Sequence, residues 1–269
     1  TDIAPGQTRV VTTLDLSYFP KERGPYNFNP LAATNPQGTF SEAQALQNWG
    51  GIMRSITSTN FEQTNVEYIQ FWMLDPYFGN LGDTADITNT GKIEFHLGEI
   101  SEDILKDNRK QYENGLPGTD GTALVYNSAW GKVPSSQSLI YAFDTDSANR
   151  EVQDVGFDGL NDAEEAAKFT DFAGFEDPAA DNYQYYLNVS GEIVDRYKNY
   201  NGVQGNSPVS VGDSNRGSST MPDVEDINKD NTMNTIDAYY KYEIPISSNP
   251  VVGQNFIVDI RQEESVAME

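Results

Sequence analysis

The chain holds 269 residues, with 41 Asp and Glu against 17 Lys and Arg, a formal charge of −24, one histidine and no cysteine. So acidic a surface repels phosphate and anionic lipid, which excludes a nucleic-acid reader and a lipid-docking module. The missing thiols exclude cysteine catalysis, disulfides and nearly every structural zinc site, while the length suffices for one large or two modest cores.

Along the chain, Arg9 to Tyr18 alternates in part, with Leu14, Leu16 and Tyr18 on one side, as a strand does. A Pro/Asn/Gly loop follows from Asn27 to Gly38, and Ser41-Glu-Ala-Gln44 has capping-box spacing, predicting a short helix that ends near Gly50. Ile52 to Thr57 and Val66 to Leu74 read as strands. The second is nearly all large residues, as in a strand covered on both faces. In Lys92 to Gly98, Ile93, Phe95 and Leu97 alternate with Glu94 and His96, which places the single histidine on the polar face of a strand rather than in a triad. Ser101 is expected to cap a helix over Glu102 to Glu113, and Ser138 to Phe143 reads as another strand.

From Asp144 onward Asp, Asn, Gly and Tyr dominate and apolar periodicity fades. Helices are expected from about Ala163 to Phe169 and over Ile193 to Tyr200, with an irregular stretch from Asn201 to Thr220 and a closing strand carrying Phe256, Val258 and Ile260. No apolar run approaches a membrane helix, no Gly-rich phosphate loop follows a strand, and no signal peptide opens the chain, which therefore reads as a mature piece or an excised segment.

Two stretches carry the sharpest chemistry. Ca²⁺ takes roughly six to eight oxygens, and a twelve-residue loop offers them from positions 1, 3, 5, 7, 9 and 12, with a turn residue at 6. The stretch Asp154 to Glu165 supplies Asp154, Asp158, Asp162 and Glu165, with Gly159 as the turn residue. Its third position is Gly156, so water or a neighbour must provide that oxygen. The stretch Asp226 to Asp237 supplies Asp226, Asn228, Asp230, Asn234 and Asp237, with Asn231 at the turn, where Asn tolerates the left-handed backbone. Beyond these two loops no internal repeat is read. Bound calcium would stabilise a region whose apolar content is too low to offset its ordering entropy.

The fold class expected is mainly β: a jelly-roll-like β-sandwich with short helices and a loop-rich calcium-binding region. Residues 1–40 form an N-terminal strand and loop arm, 41–150 the sandwich, and 151–269 the loop-rich region with its closing strand.

The stretches Glu22-Arg-Gly-Pro-Tyr-Asn-Phe28, Trp49-Gly-Gly-Ile-Met-Arg54, Asn65 to Tyr77, Leu97 to Ile104 and Tyr112 to Pro117 share their order and wording with one family. So do Asn201 to Asn206 and the two calcium-type loops. Together they make the chain resemble the SprA/Sov family, the outer-membrane translocon of type IX secretion and gliding motility in Bacteroidota. The resemblance implies a non-enzymatic soluble segment of a much longer barrel protein, with no membrane span of its own. Its implied partners are the rest of the barrel, secreted cargo with C-terminal sorting domains, and accessory outer-membrane subunits. The extracellular face is preferred over the periplasmic mouth, and on either side millimolar calcium outside the cytoplasm would saturate even weak loops. Two other readings compete with it. A carbohydrate-binding module requires exposed Trp or Tyr rings, and a glycosidase requires two facing carboxylates in a cleft.

Overall fold

The computed structural model describes residues 14–56, 60–63, 65–74, 77, 91–111, 125–134, 156–182, 190–198 and 224–261. Contacts divide the chain into two compact units, both discontinuous in sequence: Thr1–Met53 with Leu105–Glu225, and Arg54–Ile104 with Asp226–Glu269. Among the described residues each unit holds one two-stranded antiparallel sheet, and the helices are few and short. The coarse reading, mainly β with short helices, stands.

The first unit is built on aromatic packing. Buried Ala32, Phe40 and Phe172 form its centre, with Phe28, Ala33 and Phe175 against them. Phe28 stacks on Phe169 at 3.6 Å and meets Phe172 edge-on at 5.5 Å. The Arg23 guanidinium lies 4.9 Å from the Phe172 ring centre and 5.1 Å from that of Phe175, while donating to the carbonyls of Asp177 and Pro178. A buried Phe stabilises by about 2 kcal/mol, so these rings fasten the 19–40 stretch onto 169–178. Helix α1 (Glu42–Ala45) opens on the capping box expected at Ser41 and Gln44.

Strands β2 (Val125–Asn127) and β3 (Lys132–Pro134) of the same unit pair in the register Tyr126 to Val133. The Ser128 hydroxyl closes their turn by accepting from the amides of Trp130 and Gly131. The amide of Lys132 donates to the carbonyl of Asp158 at 2.7 Å, so the 156–160 stretch lies against β3. Helix α2 (Asp162–Lys168) follows, capped reciprocally by Asn161 and Glu164. Helix α3 (Ile193–Tyr197) is shorter than its sequence pattern suggested.

In the second unit β1 (Gly91–Glu99) pairs with β4 (Ala238–Ile246), placing Phe95 opposite Tyr242 and His96 opposite Lys241. Phe71 packs near Phe95 at 5.6 Å, and Phe256 meets Tyr242 edge-on at 5.2 Å. Lys92 and Lys241 each pair with Glu94 and Glu243, one along their own strand and one across the ladder. His96 stacks on Tyr239 at 4.4 Å and bonds Glu94, a satisfied strand residue on the polar face. Strand β4 was not anticipated, although Tyr240, Tyr242, Ile244 and Ile246 alternate with other residues. Pro245 is tolerated there because a two-stranded sheet consists of edges.

Several sequence expectations are corrected. The stretches 52–56 and 66–74 are irregular and exposed rather than paired strands, with Leu74 94% exposed. Large β-prone residues report fitness for a pleated surface, but a strand also needs a partner ladder, and none of the described residues supplies one. Residues 14–18 are likewise unpaired, and the closing stretch is irregular where Asn255 and Phe256 take φ of 49° and 65°. Of the helix expected over Glu102 to Glu113, the described residues 102–111 are a series of bends, because Lys106 and Asn108 take φ of 55° and 58°, which no right-handed helix admits. The strand expected at Ser138 to Phe143 lies outside the described residues.

Candidate metal centre

In the first unit, Gly156 and Gly159 turn the chain with φ of 59° and 67°. Between them the Asp158 side chain points inward. It is fully buried, and its Oδ1 accepts from the Leu160 amide at 2.9 Å. Glu165 emerges from the first turn of α2, also buried, with Oε2 accepting from the Ala179 amide at 2.8 Å. That bond draws in the 177–182 turn. Asp177 shapes this turn by accepting from the Asp181 and Asn182 amides at 3.2 and 3.1 Å. Asp181 arrives buried beside the other two, its carboxylate hydrogen-bonded by the Tyr26 hydroxyl, which itself accepts from the Phe157 amide at 2.7 Å.

One carboxylate oxygen from each of Asp158, Glu165 and Asp181 lies within 4.8 Å of the other two, and a second set, Asp162, Glu165 and Asp177, shares Glu165. Oδ2 of Asp158 and Oδ2 of Asp181 are buried and accept no hydrogen bond. No Lys or Arg of the described residues forms an ion pair with any of these five acids. Arg23 is close enough to feel Asp177, Glu165 and Asp181, yet its donors go to backbone carbonyls. Burial, reinforced by mutual repulsion, pushes the carboxyls up: Asp158 to about 7, Glu165 to about 8 and Asp181 to about 9. Three such groups cannot all be ionised in a dry site without a counter-charge. Oxygens bound to one Ca²⁺ at about 2.3–2.6 Å lie no more than about 5 Å apart, which the cluster satisfies. An all-carboxylate donor set suits a hard divalent cation.

In the second unit the 226–234 loop folds by a different logic. Asp226 is buried and its two oxygens accept from the amides of Asp230 and Asn231 at 3.0 and 2.9 Å. Asn228 accepts from Asp230, and Asp230 accepts from Thr232. Lys229 and Asn231 take left-handed φ of 60° and 70°. Asn234 and Asp237 are exposed, and Asp237 accepts from the Ser101 amide at 2.9 Å. The loop closes on buried Glu102, whose carboxylate accepts from the amides of Ile227, Asn228 and Asn234 and from the Asn234 side chain. Removing that acceptor leaves the donors of the clasp unpaired around a buried position. Glu102→Ala is expected to cost about 2–4 kcal/mol in urea unfolding, and an unchanged midpoint would refute the clasp.

Residues 159–267 match a family model, SprA_N, described as a motility related/secretion protein. That part of the chain is similar to the SprA family. No curated protein matches the chain. The SprA-matching stretch contains α2, the 177–182 turn, the 226–237 loop and β4, so both acidic sites fall largely within it.

Of the acids expected at the first loop, the fold brings Asp158 and Glu165 together and sets Asp162 in the adjoining set, while Asp154 lies outside the described residues. At the second loop Asp226, Asn228 and Asp230 share one turn, but no three acids of that loop converge as the first set does. Asp177 and Asp181 escaped sequence reasoning because nothing in their spacing links them to the loop.

A repeat also escaped, although its signal is plain. Glu102-Asp-Ile-Leu-Lys-Asp-Asn108 matches Glu225-Asp-Ile-Asn-Lys-Asp-Asn231 at every position but one. The likeness is structural too. In the first unit Glu225 accepts from the amides of Leu105 and Gln111, the repeat equivalents of Asn228 and Asn234, which Glu102 holds in the second unit. The paired asparagines and lysines share their left-handed backbone.

Proposed function

We propose that the chain is a non-enzymatic segment of an outer-membrane protein-translocation channel, serving type IX secretion and gliding motility, whose acidic loops are held in shape by calcium. The match of residues 159–267 to a motility and secretion family carries the reading. The metal part is supported by the buried carboxylates that converge without an ion pair to any Lys or Arg of the described residues. In this reading calcium occupies both loops as a structural ion, and the segment braces or caps the barrel and meets cargo or accessory subunits. The extracellular face is preferred over the periplasmic mouth, and calcium outside the cytoplasm would fill the loops on either side. The exposed apolar stretches 52–56 and 66–74 would find partner strands in the rest of the protein, completing the expected β-sandwich. No helix among the described residues is long and apolar enough to cross a membrane.

The test is a strain whose channel lacks this segment, with an epitope placed in the segment of a parallel intact strain. Loss of cargo export and of gliding, with antibody reaching the epitope on whole cells, is the expected result. Normal export without the segment would overturn the role, and labelling only after outer-membrane permeabilisation would move it to the periplasmic side.

A carbohydrate-binding module is the second reading, kept because Trp49 and Trp72 are 85% and 65% exposed. Trp130 does not serve it, since its indole N–H donates to the Leu105 carbonyl within the first unit. A glycan array without a binder would remove it.

A further inference from the structure

We infer that the first ion is held by a discontinuous buried site, Asp158, Glu165 and Asp181, and not by the linear loop that begins at Asp154. This rests on the calcium reading and goes beyond it by naming a ligand from a separate turn of the chain. A linear loop delivers its oxygens in order, and at its third position stands Gly156, which has none. A Cβ built on Gly156 would collide with Oδ2 of Asp181 and with the Tyr26 hydroxyl. The glycine therefore opens the space that the Asp181 carboxylate fills. Asp181 comes in across the loop and brings the oxygen that position 156 lacks.

The buried acceptors independently mark a ligand. Asp158 is 0% and Asp181 7% exposed, and each keeps one oxygen without a hydrogen bond in the cluster where the three carboxylates converge. Their other interactions look like orientation: Asp158 Oδ1 is fixed by the Leu160 amide, and Asp181 is steadied by Tyr26. Glu165 gives one oxygen to the Ala179 amide, which secures the turn that carries Asp181. Asp162 and Asp177 stand beside Glu165 as flanking acids. A cation here ties together α2, the 156–160 turn and the 177–182 turn. The all-oxygen, flexible-loop character suits Ca²⁺ better than Mg²⁺, which demands a near-ideal octahedron and keeps several waters.

The experiment uses the whole 269-residue chain in an Asp230→Asn background that silences the second loop. Protein stripped with a chelator is titrated with CaCl₂ by calorimetry and melted with and without the ion. Asp181→Asn is expected to weaken calcium binding at least about tenfold and to abolish the calcium-dependent rise in melting temperature, while Asp154→Asn leaves both within twofold. Without calcium, Asp181→Asn should melt at or above the parent, because it removes an acid whose burial disfavours folding; this separates lost coordination from misfolding. Binding lost in Asp154→Asn but kept in Asp181→Asn overturns the inference and leaves the linear calcium loop standing. A parent chain that takes up no calcium overturns the calcium reading of the first site as well.

Discussion

Stripping divalent cations from the chain at pH 8 is expected to lower its melting temperature by about 5–10 °C, from the roughly 2.7 kcal/mol that a ligand at a hundred times its dissociation constant contributes. The pH dependence gives the sharper test. Burial holds the Asp158, Glu165 and Asp181 carboxyls protonated up to about 7, 8 and 9 in the metal-free fold, well above their values in an unfolded chain. A raised folded pKa means that the folded form binds protons more tightly than the unfolded one. Its contribution is complete below about pH 4 and is lost as pH climbs through the folded values. The metal-free chain should therefore weaken between pH 5 and 9. Calcium must displace those protons, so its affinity and its stabilisation rise over the same interval. Melting scans in chelator and in calcium at pH 5, 7 and 9 should diverge with increasing pH. A gap that is constant, or widest at pH 5, would show that the ion does not sit on these carboxylates.

Gly159→Ala should be among the most damaging single substitutions, costing about 2–4 kcal/mol. The backbone there has φ +67°, and a Cβ would run into the Lys132 carbonyl of β3 and crowd that residue's side chain. Neither obstacle can yield easily, because the Lys132 amide is already bonded to the Asp158 carbonyl next door. Moving the turn off β3 moves Asp158 out of the cluster, so calcium affinity should fall together with stability. Gly174→Ala is the control, since a Cβ there meets nothing within 4 Å. Urea unfolding that ranks the two substitutions equally would mean that β3 does not hold the turn in place.

The elements legible in the sequence were those whose physics is local. The Ser41 capping box joins groups three residues apart, and α2 and β1 follow from periodicities within a single segment. The stretches 52–56 and 66–74 have the composition of strands without the pairing, because a ladder is a property of two segments and only one was being read. The 102–111 stretch shows the opposite error. Its cap and acidic first turn favour a helix locally, but Asp107 and Glu225 take its amides and the backbone at Lys106 and Asn108 turns left-handed. Comparing that stretch with 225–234 would have exposed the repeat and cast doubt on the helix.

By itself the sequence determined the kind of chemistry available: an excess of carboxylates, no thiols, glycine and asparagine at tight turns, and motifs shared with the SprA family. Only the tertiary structure decided which acids act together. It joined Asp158 and Glu165 to Asp181, and it assigned Asp237 to a backbone amide. The reason is geometric. A shared cation needs oxygens within about 5 Å of one another, and separation along a chain carries no information about that distance once the chain has turned back on itself.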